Sequence, residues 1–95
     1  PILEGSLKLS KKEFWPTGTK NNKRILDKNI KWDKTISNNE KMILFDSQTS
    51  GGLLLSVEKS KSKKLIDEIN SIETFFAKKI GETIEKPNQQ ILVDR

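Results

Sequence analysis

Asp46-Ser47-Gln48-Thr49-Ser50-Gly51-Gly52 decides how the rest of this chain is read. Apolar runs flank it at residues 42–45 and 53–57, so a polar segment lies between two stretches that seek burial. Its paired glycines free the backbone to take positive φ and to approach a bound group closely, since no Cβ intervenes. The hydroxyls of Thr49 and Ser50 and the amide of Gln48 each donate and accept hydrogen bonds. A glycine-ended polar loop entering a buried strand can cradle an anion with its N–H groups. The same residue types also build ordinary turns, and on physics alone both readings stand.

Immediately upstream, Ser37-Asn38-Asn39-Glu40 has the spacing of a capping box, with Ser37 at the N-cap and Glu40 reaching back from the third helical position. A helix of one to two turns through Met42, Ile43 and Phe45 should then deliver the chain to Asp46. Downstream, residues 53–57 read as a strand buried on both faces, although periodicity does not separate strand from helix in so short a run. Ser60 is the expected N-cap of the next helix, whose apolar stripe is Leu65, Ile66, Ile69 and Ile72. Lys61, Lys63 and Lys64 fall in its first turn, where the helix dipole disfavours cations and only solvent screening makes them cheap. Residues 75–85 read as a strand with a bulge at Gly81, because Ile80, Glu82 and Ile84 share parity. Residues 86–88 are turn material and residues 90–94 a last strand, so the chain should end in a hairpin.

Residues 1–13 suggest an amphipathic helix, with Leu3 and Leu7 on one face and Phe14 extending it. Gly5 weakens that helix and Pro16 should end it, since the residue before a proline avoids the α region. Residues 16–22 read as a second polar loop, with Pro16 and Gly18 placed for a tight turn. Residues 23–36 follow no clean period, and Trp32 is expected to anchor them against the core. There is no internal repeat and no long linker, so residues 1–95 are read as one small or partial domain.

Ninety-five residues bury a thin core, and a hydrophobic share of 33% keeps the chain at the polar end of globular composition. The net charge of +5 comes from lysines scattered among acids, with only residues 59–64 forming a modest run. A basic pI marks nucleic-acid binding only where the charge is clustered, so nucleic acid is not the expected partner. The absence of Cys and His excludes disulfides, thiolate or imidazole metal sites, and Cys- or His-based nucleophilic catalysis within the chain. No apolar run approaches the length of a membrane helix, and the N-terminus lacks a signal-peptide core. A cytoplasmic location is therefore expected. The chain begins at Pro1 rather than Met, as a processed or trimmed chain would.

Asp46-Ser47-Gln48-Thr49-Ser50-Gly51-Gly52-Leu53-Leu54 resembles the Asp-Pro-Gln-Thr-Ser-Gly-Gly-Leu-Leu signature near the C-terminus of selenophosphate synthetases (selenide, water dikinases), departing from it only at Ser47. Pro16, Gly18, Thr19 and Asn22 match that family's Pro-Gly-Gly-Thr-x-Arg-Asn element. Thr17 stands for a glycine there and Asn21 for an arginine, which exchanges a fork of phosphate donors for a neutral amide. Ile80-Gly81-Glu82 matches a further element, so the resemblance runs over nearly the whole chain. It implies an α+β fold: the C-terminal portion of the aminoimidazole ribonucleotide synthetase-like C-terminal domain, a mixed sheet packed with about three helices. It implies a part of an enzyme that turns ATP, selenide and water into selenophosphate, AMP and phosphate. ATP and magnesium belong to the full-length enzyme, and this portion alone is expected to bind neither. The implied partners are an N-terminal ATP-binding domain and a second copy in a homodimer.

The family's catalytic cysteine, lysine and metal-binding aspartates precede the matching region, so no residue here is assigned a catalytic or metal role. By resemblance, Gly18, Thr19, Asn22, Gln48, Thr49, Ser50, Gly51 and Gly52 form a substrate- or phosphate-binding wall. Asp46 either helps with magnesium or, the preferred reading, organises the loop by an Asx-type bond. Ser47 removes a proline's fixed φ and should loosen the loop. Such a wall offers N–H and hydroxyl donors and shields an intermediate from water, while phosphoryl transfer itself needs bridging cations and a nucleophile from elsewhere. The alternative is a diverged structural or regulatory module fused to another enzyme, which the departures at Thr17, Asn21 and Ser47 would fit.

Overall fold

Serine 37 and Glu40 do what their spacing requires. In a computed structural model that describes residues 2–85 and 91–94, the Ser37 hydroxyl accepts the Glu40 N–H at 3.3 Å while Glu40 accepts the Ser37 N–H at 2.7 Å. The helix they start, Asn38–Leu44, ends as Phe45 N–H bonds back to Lys41, and it hands the chain directly to Asp46.

The elements run in the order α1 (Ser6–Ser10), α2 (Thr17–Leu26), a 3-10 turn (Asp27–Asn29), β1 (Ile30–Trp32), α3 (Asn38–Leu44), α4 (Lys59–Asn70) and β2 (Ile91–Val93). Helices beside a small sheet make an α+β chain. The described residues fall into two compact units. The first is Ile2–Ser50 together with the described residues from Ile84 onward, and the second is Gly51–Thr83.

In the first unit α1 packs on α3, and α2 meets α3 as well. The core is small: Ile36, Met42 and Phe45 are buried, with the hydroxyls of Ser10 and Thr19 beside them. Trp32 stands edge-on to Phe45 with ring centroids 5.6 Å apart, and its indole N–H donates to Asp27 at 2.7 Å. The Lys41 ammonium sits 5.3 Å from the Trp32 ring, a cation–π contact on the open side. Trp32 is therefore the anchor expected of it. The segment around it is more regular than expected, completing α2 and adding the 3-10 turn and β1.

Several expectations are corrected. The first helix covers only Ser6–Ser10, because Gly5 takes φ 81° and Glu13 φ 57°, which bound it on both sides. Leu3 and Phe14, expected on its buried face, are exposed. Residues 16–22 are not a loop: Pro16 is the N-cap of α2, and Thr17 to Asn22 are helical. A proline just before a helix presets φ and forfeits an N–H that needs no helical partner, so its turn signal and its helix-start signal coincide. The hairpin is replaced by a parallel pair, Ile30↔Ile91 to Trp32↔Val93, so β2 takes β1 as its partner. Residues 86–88, read as its turn, lie outside the described residues.

In the second unit neither residues 53–57 nor residues 75–83 form a strand. A strand buried on both faces needs neighbours on both edges, and the described residues supply none. Leu53, Leu54, Phe75 and Phe76 are accordingly exposed. With no ladder there is no bulge at Gly81 either. The N-cap of α4 is Glu58 rather than Ser60, whose hydroxyl instead donates to Glu58 at 2.6 Å. The expected stripe is present in part: Leu65, Ile66 and Ile69 are half-buried, whereas Ile72 lies past the end of α4 and is exposed. The awkward lysines of its first turns have partners: Lys61 pairs with Glu58 at 2.8 Å, Lys63 with Asp67 at 2.5 Å and Lys64 with Glu68 at 3.8 Å. The Asn70 side chain both donates to and accepts from the Ala77 backbone, which fixes the chain after the helix.

Removing the capping hydroxyl with Ser37→Ala should cost the first unit about 1 kcal/mol in urea unfolding. An unchanged midpoint would show that the box is ornamental. Glu82 is held below the usual carboxylate range by Lys79 first and Lys59 second. A depressed carboxylate stabilises the fold above its unfolded pKa and loses that contribution as pH falls through the folded value. NMR titration should therefore place the Glu82 midpoint below that of a free glutamate, and Lys79→Gln should raise it.

Candidate functional site

One turn of α2 carries Gly18, Thr19 and Asn22 on the side facing the end of α3, since residues three and four apart share a helix face. Thr19 is fully buried, and a buried hydroxyl is costly unless it is bonded. Its Oγ1 donates to Asp46 Oδ1 at 3.0 Å and accepts the Ser47 N–H at 3.4 Å. Asn22 Nδ2 donates to the Phe45 carbonyl at 3.0 Å, one of the last acceptors of α3. Gly18 completes the clamp by what it lacks. A Cβ there would lie 2.5 Å from Ser47 Oγ, so a side chain at residue 18 would push Ser47 aside.

Two separate sequence features, the Gly18-Thr19 element and the start of the 46–52 stretch, thus meet in the first unit. They meet as helix and loop rather than as two loops. Asp46 bonds to Thr19 rather than forming an Asx turn. The Asx-type arrangement occurs at Asp33, which accepts the Thr35 N–H at 2.7 Å. Ser47 lies beside α2: its N–H donates to Thr19 Oγ1, and its side chain occupies the space that a Cβ on residue 18 would need. Sequence reasoning did not identify the Ser47–Gly18 or Asn22–Phe45 contacts, because both require α2 to be helical at its first turn.

Gln48, Thr49 and Ser50 are exposed and follow the clamp directly. Among the described residues their side chains join none of the hydrogen bonds that hold the unit. Gly51 and Gly52 belong to the second unit, and a Cβ at Gly52 would meet nothing within 4 Å. The first unit therefore offers a fixed base, Asp46 and Ser47, bearing a short run of free donors and acceptors. That chemistry suits phosphate oxygens or a small polar anion. Among the described residues no three carboxylates gather, and the Asp46 carboxylate accepts from Thr19.

The chain is similar to several curated proteins. It is 29% identical over 94 residues to the selenide, water dikinase of Aliarcobacter butzleri, covering 99% of this chain and 27% of that protein. With the selenide, water dikinase of Clostridium botulinum (strain Alaska E43) it shares 34% identity over 93 residues, covering 98% and 27%. With selenide, water dikinase 2 of Peptoclostridium acidaminophilum it shares 32% over 93 residues, covering 98% and 26%. The chain is homologous to selenophosphate synthetase. It spans about a quarter of the length of these curated synthetases, and its sequence supports its reading as a C-terminal portion of one. No family model and no solved structure matches it. Relative to the synthetase signature, the Ser47 departure falls within the clamp, beside Gly18.

Gly18→Ala should destabilise the first unit by about 1–3 kcal/mol in chemical denaturation, because the added methyl strikes Ser47. Adding Ser47→Gly should remove that cost and expose the helix-propensity gain of alanine. If the single substitution is stabilising, the close packing is absent. Thr19→Val keeps the volume but removes the bonds to Asp46 and the Ser47 N–H, both of which can turn to water, and should cost about 0.5–1.5 kcal/mol.

Proposed function

We propose that this chain is the C-terminal, active-site-closing portion of a selenophosphate synthetase, the enzyme forming selenophosphate, AMP and phosphate from ATP, selenide and water. The carrying observation is the Thr19–Asp46–Ser47 clamp, which fixes the start of the signature stretch and leaves Gln48, Thr49 and Ser50 free. In this reading those three side chains, with Gly51 and Gly52, line one wall of the reaction space. They donate to phosphate or selenophosphate oxygens and displace water from the reacting group. ATP and magnesium supply the phosphoryl group and neutralise its charge, and both are held by the ATP-binding portion. Catalysis then belongs to the assembled enzyme, taken to be a cytoplasmic homodimer whose C-terminal domain has the aminoimidazole ribonucleotide synthetase-like fold.

The second unit supports dependence on a larger assembly. Leu53, Leu54, Phe75, Phe76 and Ile80 are exposed within it, more apolar surface than a free-standing module of this size usually shows. Among the described residues no helix is long and apolar enough to cross a membrane, which leaves burial against protein as the reading adopted for that surface.

The test is reconstitution with the N-terminal portion of the Clostridium botulinum selenide, water dikinase, trimmed where its match to this chain begins. Selenide-dependent AMP formation should appear only when both parts are present, and Thr49→Ala with Ser50→Ala should lower it about 10- to 1,000-fold. Activity from the 95-residue chain alone would overturn the proposal. Folded association without activity would favour the diverged module instead.

A further inference from the structure

The lysines of this chain are not all alike. On α4, Lys61, Lys63 and Lys64 each face a carboxylate within ion-pair distance, and the helix surface is locally neutral. On and after α2, Lys20, Lys23, Arg24 and Lys28 line a shallow, open groove that also touches Met42. Among the described residues none of these four cations is paired with a carboxylate. Lys23 donates instead to the neutral Asn38 side chain at 2.5 Å. The one acid in the groove, Asp27, accepts the Trp32 indole N–H at 2.7 Å.

Like charges three and four residues apart destabilise a helix. The helix dipole accounts for Lys23 and Arg24, which lie in the last turn, but it works against Lys20 in the first. Four cations against the single carboxylate of Asp27 leave a net positive potential where a multiply charged anion can meet several donors together. The positions from 20 to 28 span about 12 Å along the axis, longer than one phosphate and matched to a chain of linked phosphates.

We propose that the groove between α2 and α3 is a binding site for a linear oligophosphate. Lys20 and Arg24 grip adjacent phosphates, Lys28 takes the far end, and Lys23 leaves Asn38 to join them. The arginine supplies a planar fork for two oxygens, and the lysines supply mobile point charges. The site uses the face of α2 that carries none of the clamp residues, so it is independent of the active-site reading.

The 15N-labelled 95-residue chain, titrated with sodium tripolyphosphate at low salt, tests this. Amides of residues 20–28 should shift saturably, and the affinity should fall as salt rises. Lys20→Gln with Arg24→Gln should weaken binding about tenfold or more, while Lys61→Gln with Lys63→Gln changes it by less than about twofold. Unchanged α3 resonances would confirm that the variants remain folded. Equal losses from both pairs would reduce the effect to net charge and overturn the site, as would the absence of saturable shifts. Tighter binding of a short single-stranded RNA at the same amides would overturn the choice of ligand.

Discussion

A single buried hydroxyl holds the first unit in register. Thr19 Oγ1 has a donor and an acceptor to satisfy away from water, and it finds both in consecutive residues, Asp46 and Ser47. With a core of little more than Ile36, Met42 and Phe45, apolar packing alone leaves the helices room to slide. The polar clamp is directional and removes that freedom. Gly18 permits the approach, and Asn22 closes the end of α3, so three residues of one turn fix where the signature stretch begins.

What could be read from the sequence was what is local. The capping box needs only residues 37 and 40, and it was legible to the atom. Trp32 was legible as an anchor because a large aromatic in a charged segment has few other places to go. The α4 stripe was legible from its period, while its lysines made sense only once their carboxylates came into view on the same helix. Pro16 misled because a proline followed by small polar residues opens a turn and a helix equally well. Residues 53–57 misled for another reason: an apolar run says that burial is sought, but not whether a neighbour is there to provide it.

The candidate site shows the same division. Its residue types were visible in the 46–52 stretch, and the pairing of Thr19 with Asp46 followed neither from period nor from spacing, because 27 residues separate them. Ser47 is the instructive case. Judged by the proline it replaces, it should loosen the loop; in place, its side chain also fills the space that a Cβ on residue 18 would need. The meaning of that position depends on a glycine in another helix.

The parallel pairing of Ile30–Trp32 with Ile91–Val93 has a consequence for how the chain is made. Parallel strands cannot be joined by a tight turn, and here the whole of Gly51–Thr83 lies between them in sequence. The first unit is therefore discontinuous, opened and closed by opposite ends of the described chain. On a ribosome adding about 5–20 residues per second, β1 emerges several seconds before its partner exists. During that interval its edge is bare, and α1, α2 and α3 must hold it with the Thr19 clamp and the Trp32 contacts alone. The second unit is complete before the first one is, so birth order and assembly order run in opposite directions.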